Sequence, residues 1–463
     1  MCGASPTSAN TAQLRHLADR LAASARHLLQ GSGDRERTQR DALAAFGVRI
    51  VSAGLLYLSQ IVLARWMGTT EYGVYVFVWA WVLILGGLCH LGLSLAMIRL
   101  IPAYRETGEL SLLRGLIYGG RWAAIALGTL VSAFGIGGLW LFGPTVSSPY
   151  VLPLYLALVC IPLYALTDVQ DGIGRGHAWM DLALLPPYVL RPILLLLAMV
   201  AALAYGLPMR AETAAGSAIL ATWASGVIQL LLLNRRLGTT IAAGDRHYTF
   251  KTWFRASLPL VVIAGCELVL QNADVLVISR YLSPADVGIY FAAAKTMSLI
   301  LFVHYAVGSA VANRFATLNA RGDREQLRAF VRDAVNWTFW PSLVCAVLLL
   351  ALGLPLLSLF GSQFQTGYPV MIILALGFMA RASMGPAEFL LNMLGEQNLC
   401  ATVLTVTAVL NIALNFALVP SFGMIGAATA TSLSITFAAA MNYLVARRRL
   451  EIDIAIWSNL PQR

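Results

Sequence analysis

Ile61-Val62-Leu63-Ala64-Arg65-Trp66-Met67-Gly68-Thr69-Thr70-Glu71-Tyr72-Gly73-Val74-Tyr75 and Leu276-Val277-Ile278-Ser279-Arg280-Tyr281-Leu282-Ser283-Pro284-Ala285-Asp286-Val287-Gly288-Ile289-Tyr290 are two versions of one segment. Arg65/Arg280, Glu71/Asp286, Gly73/Gly288 and Tyr75/Tyr290 pair at a constant offset of 215 positions, without a gap. Each copy closes one apolar helix and opens the next. Self-similarity at a fixed period in an apolar chain signals a duplicated helical bundle, and membrane bundles made of two repeats are usually transporters that rock one half against the other. Arg65 and Arg280 sit where a cation complements a helix C-terminus and its stem reaches the interface. Ser283-Pro284 has the form of an N-cap followed by proline at the first helical position, with Asp286 in the first turn. The motif therefore reads as a structural hairpin and not as a binding site.

Composition supports the membrane reading. Hydrophobic residues make up 59% of the chain and charged residues 12%, with a mean hydropathy of +0.73, far from the balance of a soluble domain. About twelve stretches reach the ~20 apolar residues that cross a bilayer as a helix. The alternating period of barrel strands is missing, which leaves helices. The expected fold is thus an all-α polytopic membrane protein, with about twelve transmembrane helices in two six-helix lobes of the same orientation around a central cavity. The divisions are a cytosolic segment 1–42, an N-lobe 43–233, a cytosolic linker 234–256, a C-lobe 257–446 and a cytosolic tail 447–463. Segment 1–42 lacks the apolar core of a signal peptide. Leu14, Leu17, Leu21 and Leu28 recur opposite Arg15, Asp19 and Arg26, which fits an amphipathic helix on the inner membrane surface and equally a partly ordered tail.

With the amino terminus inside, most of the 32 Lys and Arg fall in cytosolic segments, and the opposite side receives Arg65, Arg210 and Arg280. This bias places both termini in the cytosol of a bacterial inner membrane. The net charge of +10 is then a topology signal and an attraction to anionic membrane lipids, not a nucleic-acid footprint. The six cysteines, Cys2, Cys89, Cys160, Cys266, Cys345 and Cys400, show no disulfide or metal spacing and read as small hydrophobes. Neither a metal nor a cofactor is called for. The duplication continues past the motif: Gly108-Glu109 with Leu113-Arg114 answers Gly322-Asp323 with Leu327-Arg328 at an offset of 214.

Arg65 through Tyr75, then Gly92-Leu93, Arg99 and Tyr104-Arg105, resemble the start of bacterial polysaccharide-biosynthesis flippases for O-antigen or capsule repeat units. That family belongs to the multidrug/oligosaccharidyl-lipid/polysaccharide exporter superfamily. Leu394-Gly395-Glu396, Asn411, Asn415 and Pro420-Ser421-Phe422-Gly423-Met424-Ile425-Gly426-Ala427-Ala428-Thr429-Ala430 resemble its asparagine-bearing span and the glycine-alanine turn into the last helix. The small residues of that turn also allow close helix approach. The resemblance covers roughly residues 40–446. It implies passage of an undecaprenyl-diphosphate-linked oligosaccharide from the cytosolic to the outer leaflet, with polysaccharide polymerase machinery as a possible partner.

Ionisable residues inside spans are costly and by default face a cavity. Arg121, Asp168, Asp171 and Asp181 lie within two turns of a cytosolic end and are expected to reach the interface. A diphosphate needs cations, because desolvating it unpartnered is prohibitive. Arg49, Arg191, Lys295 and Arg381 are therefore the substrate-binding candidates, against the alternative that each only pairs with a carboxylate to hold helices in register. Pro186, Pro187 and Pro192 are expected to bend the helix around Arg191 and open a carbonyl toward the cavity. Glu267, Asp274 and Glu388 are the ion-coupling candidates, exchanging partners as H+ or Na+ arrives. Fixed ion pairing is the rival, and it is the preferred reading for Asp274 with Lys295. His304 reads as a satisfied packing residue. A multidrug or cation antiporter and a lipid II flippase of the same superfamily remain as alternatives. Enzyme activity is not expected, since the longest outer loop, 142–150, is too short to carry acid/base machinery.

Overall fold

A chain inside a bilayer has no water to satisfy its peptide groups, so each span is driven to hydrogen-bond within itself. The computed structural model describes residues 34–142 and 148–459, with side chains from Val51 onward except Phe142 and Asn459. Every regular element among them is helical. The two readings of the amino-terminal segment fall on residues 1–33, outside the described residues.

The first half comprises α1 (Asp34–Cys89), α2 (Leu93–Glu106), α3 (Leu110–Phe142), α4 (Val151–Leu158), α5 (Ile161–Gly176), α6 (Met180–Leu185), a π-helical turn at Pro186–Leu190, α7 (Arg191–Ala204) and α8 (Ala211–Thr240). The second comprises α9 (Phe250–Tyr281), α10 (Pro284–Met297), α11 (Leu301–Ala320), α12 (Arg324–Ala351), α13 (Gly353–Phe360), α14 (Tyr368–Ala382), α15 (Ala387–Met393) and α16 (Gln397–Val445). Among the described residues nine helices are long and apolar enough to cross a membrane, or ten if the bent pair α4–α5 counts as one span.

Two of the nine are hairpins. α1 breaks at Gly68 (φ 75°), and the Tyr72 hydroxyl donates back to Gln60 Oε1 at 2.9 Å across a separation of 12 residues. An unbroken helix would hold those residues about 18 Å apart. α16 breaks likewise at Gly423 (φ 59°), where Asn411 Nδ2 donates to Thr431 Oγ1 at 3.4 Å. A Cβ on Gly426 would overlap the Leu418 carbonyl, so the close packing expected of that turn is present. Dividing both hairpins at their glycines gives about twelve membrane-length segments.

The two copies of the duplicated motif meet. A Cβ on Gly73 would overlap the Pro284 carbonyl oxygen, and one on Gly288 would lie 2.6 Å from that of Thr69. Pro284 and Thr69 are themselves 215 positions apart, so equivalent atoms of the two halves form the crossing. Thr69 Oγ1 donates to Gln363 Oε1 at 3.0 Å, and Arg65 Nη1 to the Leu359 carbonyl at 3.4 Å. The motif is thus both a hairpin and the seam between halves, a role its local sequence did not reveal.

The caps within the two copies differ. Ser283 and Asp286 form a reciprocal capping box on α10. In the first copy the Glu71 carboxylate instead accepts from the Ala211 N–H at 2.8 Å, capping α8 from outside. Ser283→Ala is expected to lower stability by about 1 kcal/mol, measured as a downward shift of the thermal midpoint in detergent with helix content unchanged.

The core explains how the halves are joined. One buried cluster draws Leu63, Tyr72 and Val78 of the first half together with Tyr290, Phe360 and Phe364 of the second. At the opposite end of the bundle, which holds Asp34 and Leu450, Leu116 and Ile173 of the first half pack with Trp253 of α9, whose indole N–H donates to the Tyr104 hydroxyl at 3.2 Å. The rest of the second half packs separately around Phe315, Val331 and Leu391. The halves share their largest core at the motif end; at the terminal end α9 still packs onto the first half, while the rest of the second half has a core of its own. Between them only Ile241–Thr249 is non-helical, because α8 runs on to Thr240 and α9 begins at Phe250. The expected linker 234–256 is thus helical at both of its ends.

Candidate functional site

A cavity of about 400 Å³ opens among α9, α10, α11, α14, α15 and α16, all of the second half. Lys295, Arg381, Glu267, Asp274 and Glu388 all line it. Its walls therefore mix the cations with the carboxylates named as ion-coupling candidates.

At the motif end of the cavity Asp274 is buried. The Tyr290 hydroxyl donates to its Oδ2 at 2.5 Å and the Val275 N–H to its Oδ1 at 3.0 Å. The salt bridge expected between Asp274 and Lys295 is not formed. Lys295 lies five positions beyond Tyr290 on α10, about 7.5 Å further along the helix axis, so Tyr290 intercepts the carboxylate. The Lys295 side chain is exposed to the cavity, its ammonium 5.1 Å from the centre of the Phe291 ring. Beside Tyr290, Asn411 Nδ2 reaches Thr431 Oγ1 at 3.4 Å, and Asn415 Nδ2 reaches Asn411 Oδ1 at 3.3 Å. Carboxylate, hydroxyl and amide oxygens thus gather at one end of the cavity, the donor set of a hard cation.

Toward the terminal end Arg381 Nη2 pairs with Glu388 Oε2 at 2.7 Å, with side-chain exposures of 21% and 33%. Arg381 and Glu388, seven positions apart, stand on two different helices. α14 stops at Ala382, Gly385 turns the chain with φ 59°, and α15 starts at Ala387. The Arg381 guanidinium also lies 5.8 Å from the Tyr305 ring centre. Glu267 is exposed to the cavity and makes no salt bridge among the described residues. His304 does not fit the reading of a satisfied packing residue. It is buried between the rings of Tyr305 and Phe389, and neither ring nitrogen has a partner among the described residues, because its neighbours there are aromatic.

The first half contributes differently. Arg191 does not line this cavity; its guanidinium lies 5.5 Å from the Trp79 ring centre and 5.6 Å from that of Tyr164. At and just before the π turn of Pro186–Leu190 beside it, two carbonyls are taken by α8. Gln229 Nε2 donates to the Leu182 carbonyl at 3.0 Å and Ser225 to the Pro186 carbonyl at 2.7 Å. Polar side chains of α8 thus bond the Leu182 and Pro186 carbonyls, as an apolar interior demands. The Arg49 side chain lies outside the described residues. Arg121 was expected at the interface but is buried, donating to Asn234 Oδ1 at 2.7 Å. Asp168 faces His90 at 3.4 Å, Asp171 pairs with Arg175 at 2.8 Å and Asp181 with Arg236 at 2.9 Å.

Sequence reasoning passed over Tyr290, Asn411 and Thr431 as site residues. One signal was available. The offset of 215 maps Glu267, Asp274 and Lys295 onto Ser52, Ser59 and Ala80, so duplication alone does not account for these charges. Tyr290 maps onto Tyr75, a retained aromatic that acquires a polar role only where Asp274 faces it. Among the described residues no three His, Cys, Asp or Glu side chains gather as a metal site, and the cysteines there are free.

The geometry has counterparts elsewhere. Residues 39–313 match the family model described as polysaccharide biosynthesis protein, and residues 259–417 match the MatE model. A stretch of 167 residues is 28% identical to a probable low-salt glycan biosynthesis flippase, Agl15, of Haloferax volcanii, covering 35% of this chain and 34% of that protein. The chain thus spans about a third of the length of the curated relative it matches. In fold it resembles an inward-facing multidrug resistance MATE family transporter of the MOP superfamily, with a TM-score of 0.70, 14% identity and coverage of 88% of this chain and 94% of that one. It also resembles the lipid II flippase MurJ in an inward closed conformation, with a TM-score of 0.67, 17% identity and coverage of 88% and 87%.

Proposed function

The chain belongs to the polysaccharide biosynthesis protein family, and from that premise we propose that it flips an undecaprenyl-diphosphate-linked oligosaccharide between bilayer leaflets by alternating access. The observation that carries this reading is Lys295: a cation facing an open cavity inside an apolar bundle, with no carboxylate bonded to it among the described residues. A diphosphate entering the cavity meets an ammonium that need not first be released from a partner. Arg381 offers a planar fork of donors, but Glu388 already holds it, so phosphate there must compete with a carboxylate.

Asp274 is the coupling group in this reading. It is buried and held only by neutral donors, Tyr290 and the Val275 amide. A proton or sodium ion among the oxygens of Asp274, Thr431 and Asn411 would compensate its charge and bias one arrangement of the lobes. The cytosolic placement of both termini follows from the basic residues gathered at the terminal end. The substrate would enter there and leave at the motif end.

Three carboxylates in one cavity favour a second reading, export of an organic cation. Reconstituted vesicles separate the two. Purified protein in vesicles carrying a fluorescent undecaprenyl-diphosphate glycan should make the glycan accessible to an external quencher faster than protein-free vesicles, with a rate that depends on Na+ or on pH. A rate equal to that of empty vesicles, together with uptake of a cationic dye, would instead establish cation export.

A further inference from the structure

The second duplicated segment, with Arg114 and Arg328, takes no part in the cavity. Both copies turn on a left-handed glycine, Gly108 at φ 74° and Gly322 at φ 71°. Both arginines then hold the chain that follows the last helix of their own half. Arg114 donates from Nε to the Asp245 carbonyl at 2.8 Å and from Nη1 to the Ala242 carbonyl at 2.9 Å. Arg328 donates from Nη2 to the Glu451 carbonyl at 3.0 Å, while Arg324 meets the Glu451 carboxylate at 3.2 Å.

In the second half that chain leads back to the cavity. Glu451 turns it off α16 in a left-handed conformation (φ 57°). Ile452, Ile454 and Ala455 are then buried, with exposures of 4%, 1% and 0%. The Ile456 N–H donates to the Ser383 carbonyl at 2.9 Å. Ser383 is the first residue after α14, inside the break that separates Arg381 from Glu388. In a continuous helix its carbonyl would accept from the Ala387 N–H. That N–H donates instead to the Gly385 carbonyl at 2.9 Å, so the break frees an acceptor and Ile456 fills it.

We propose that Glu451–Ile456 is a strap, clamped by Arg328, that fixes the break between α14 and α15 and thereby holds Arg381 against Glu388. Arg328 is a positioning residue for the cavity, and Arg114 clamps the equivalent strap of the first half. The repeat of the clamp in both halves marks it as a built device. Packing of Ile452 and Ile454 supplies the hold, and the Ile456 bond supplies the register. The functional consequence rests on the cavity being the transport site; the strap itself does not.

Hydrogen exchange on the full-length protein in lipid nanodiscs tests this. Arg328→Ala, and a chain ending at Leu450, should each speed exchange across Met384–Met393 by about tenfold, leaving 242–247 as in the wild type. Arg114→Ala should do the reverse, and Arg328→Lys should restore part of the protection. Where the shortened chain does not fold, Ile456→Pro removes the single N–H donor and is read the same way. In the vesicle assay the Arg328 variant should raise KM for the glycan lipid about tenfold, a tenfold change in binding being about 1.4 kcal/mol. Wild-type exchange at Met384–Met393 after loss of the strap would overturn the proposal. Faster exchange in a protein that moves no glycan lipid would uphold the strap and remove the transport reading.

Discussion

Lys295→Ala is expected to abolish movement of the proposed glycan lipid while leaving wild-type amounts of protein in the membrane. The two halves of that expectation come from the same geometry. The ammonium faces an open cavity and bonds no carboxylate among the described residues, so its removal strands no buried partner. A bound diphosphate would lose a charge-assisted hydrogen bond, a contribution of about 1.5–3 kcal/mol, and would lose it where little water can replace it. Arg381→Ala should also reduce output, but less cleanly. It leaves Glu388 unpaired, and breaking a fully buried pair costs about 3–5 kcal/mol, a figure reduced here because the Glu388 side chain is 33% exposed. Quantifying surface polysaccharide alongside membrane protein in a complemented null strain distinguishes the two variants. Normal polysaccharide from the Lys295 variant would remove it from the site.

Gly73→Ala should open the motif end of the bundle. The new methyl group would occupy the position of the Pro284 carbonyl oxygen, a backbone atom that no rotamer change can move. Overpacking of this kind costs about 1–3 kcal/mol. Here it can be relieved by separating the halves at this end, where they share their largest core cluster. A disulfide between cysteines at 69 and 363, whose native side chains are hydrogen-bonded at 3.0 Å, reports closure directly. Its yield should fall steeply in the Gly73 variant and also in Gly288→Ala, the equivalent change in the other half. Gly137→Ala, which meets nothing within 4 Å, should leave it unchanged. Full crosslinking in the Gly73 variant would show that the seam tolerates a side chain.

Much of this architecture was legible in the residues. Hydropathy located the spans, and the offset of 215 identified the duplication. The Ser-Pro-x-Asp run located the cap on α10, because capping is decided within four neighbouring positions. The second-half candidates Glu267, Asp274, Lys295, Arg381 and Glu388 were found for a similar reason. An ionisable group in an apolar helix has few places to go other than a cavity. Partners were less legible than membership. Arg121 is buried because α8 crosses over it, and Arg191 lies on Trp79 and Tyr164 because α5 brings the second ring to it.

By itself the sequence determined that the chain is a duplicated, all-helical membrane bundle and which second-half charges lie within its spans, since both follow from periodicity and from hydropathy. Only the tertiary structure decided that the two motif copies are the seam, that Asp274 bonds Tyr290 and not Lys295, and that the described cavity belongs to the second half alone. Those outcomes turn on distances of a few ångströms between residues far apart in the chain. Such distances are fixed by how helices pack against each other, which local patterns do not specify.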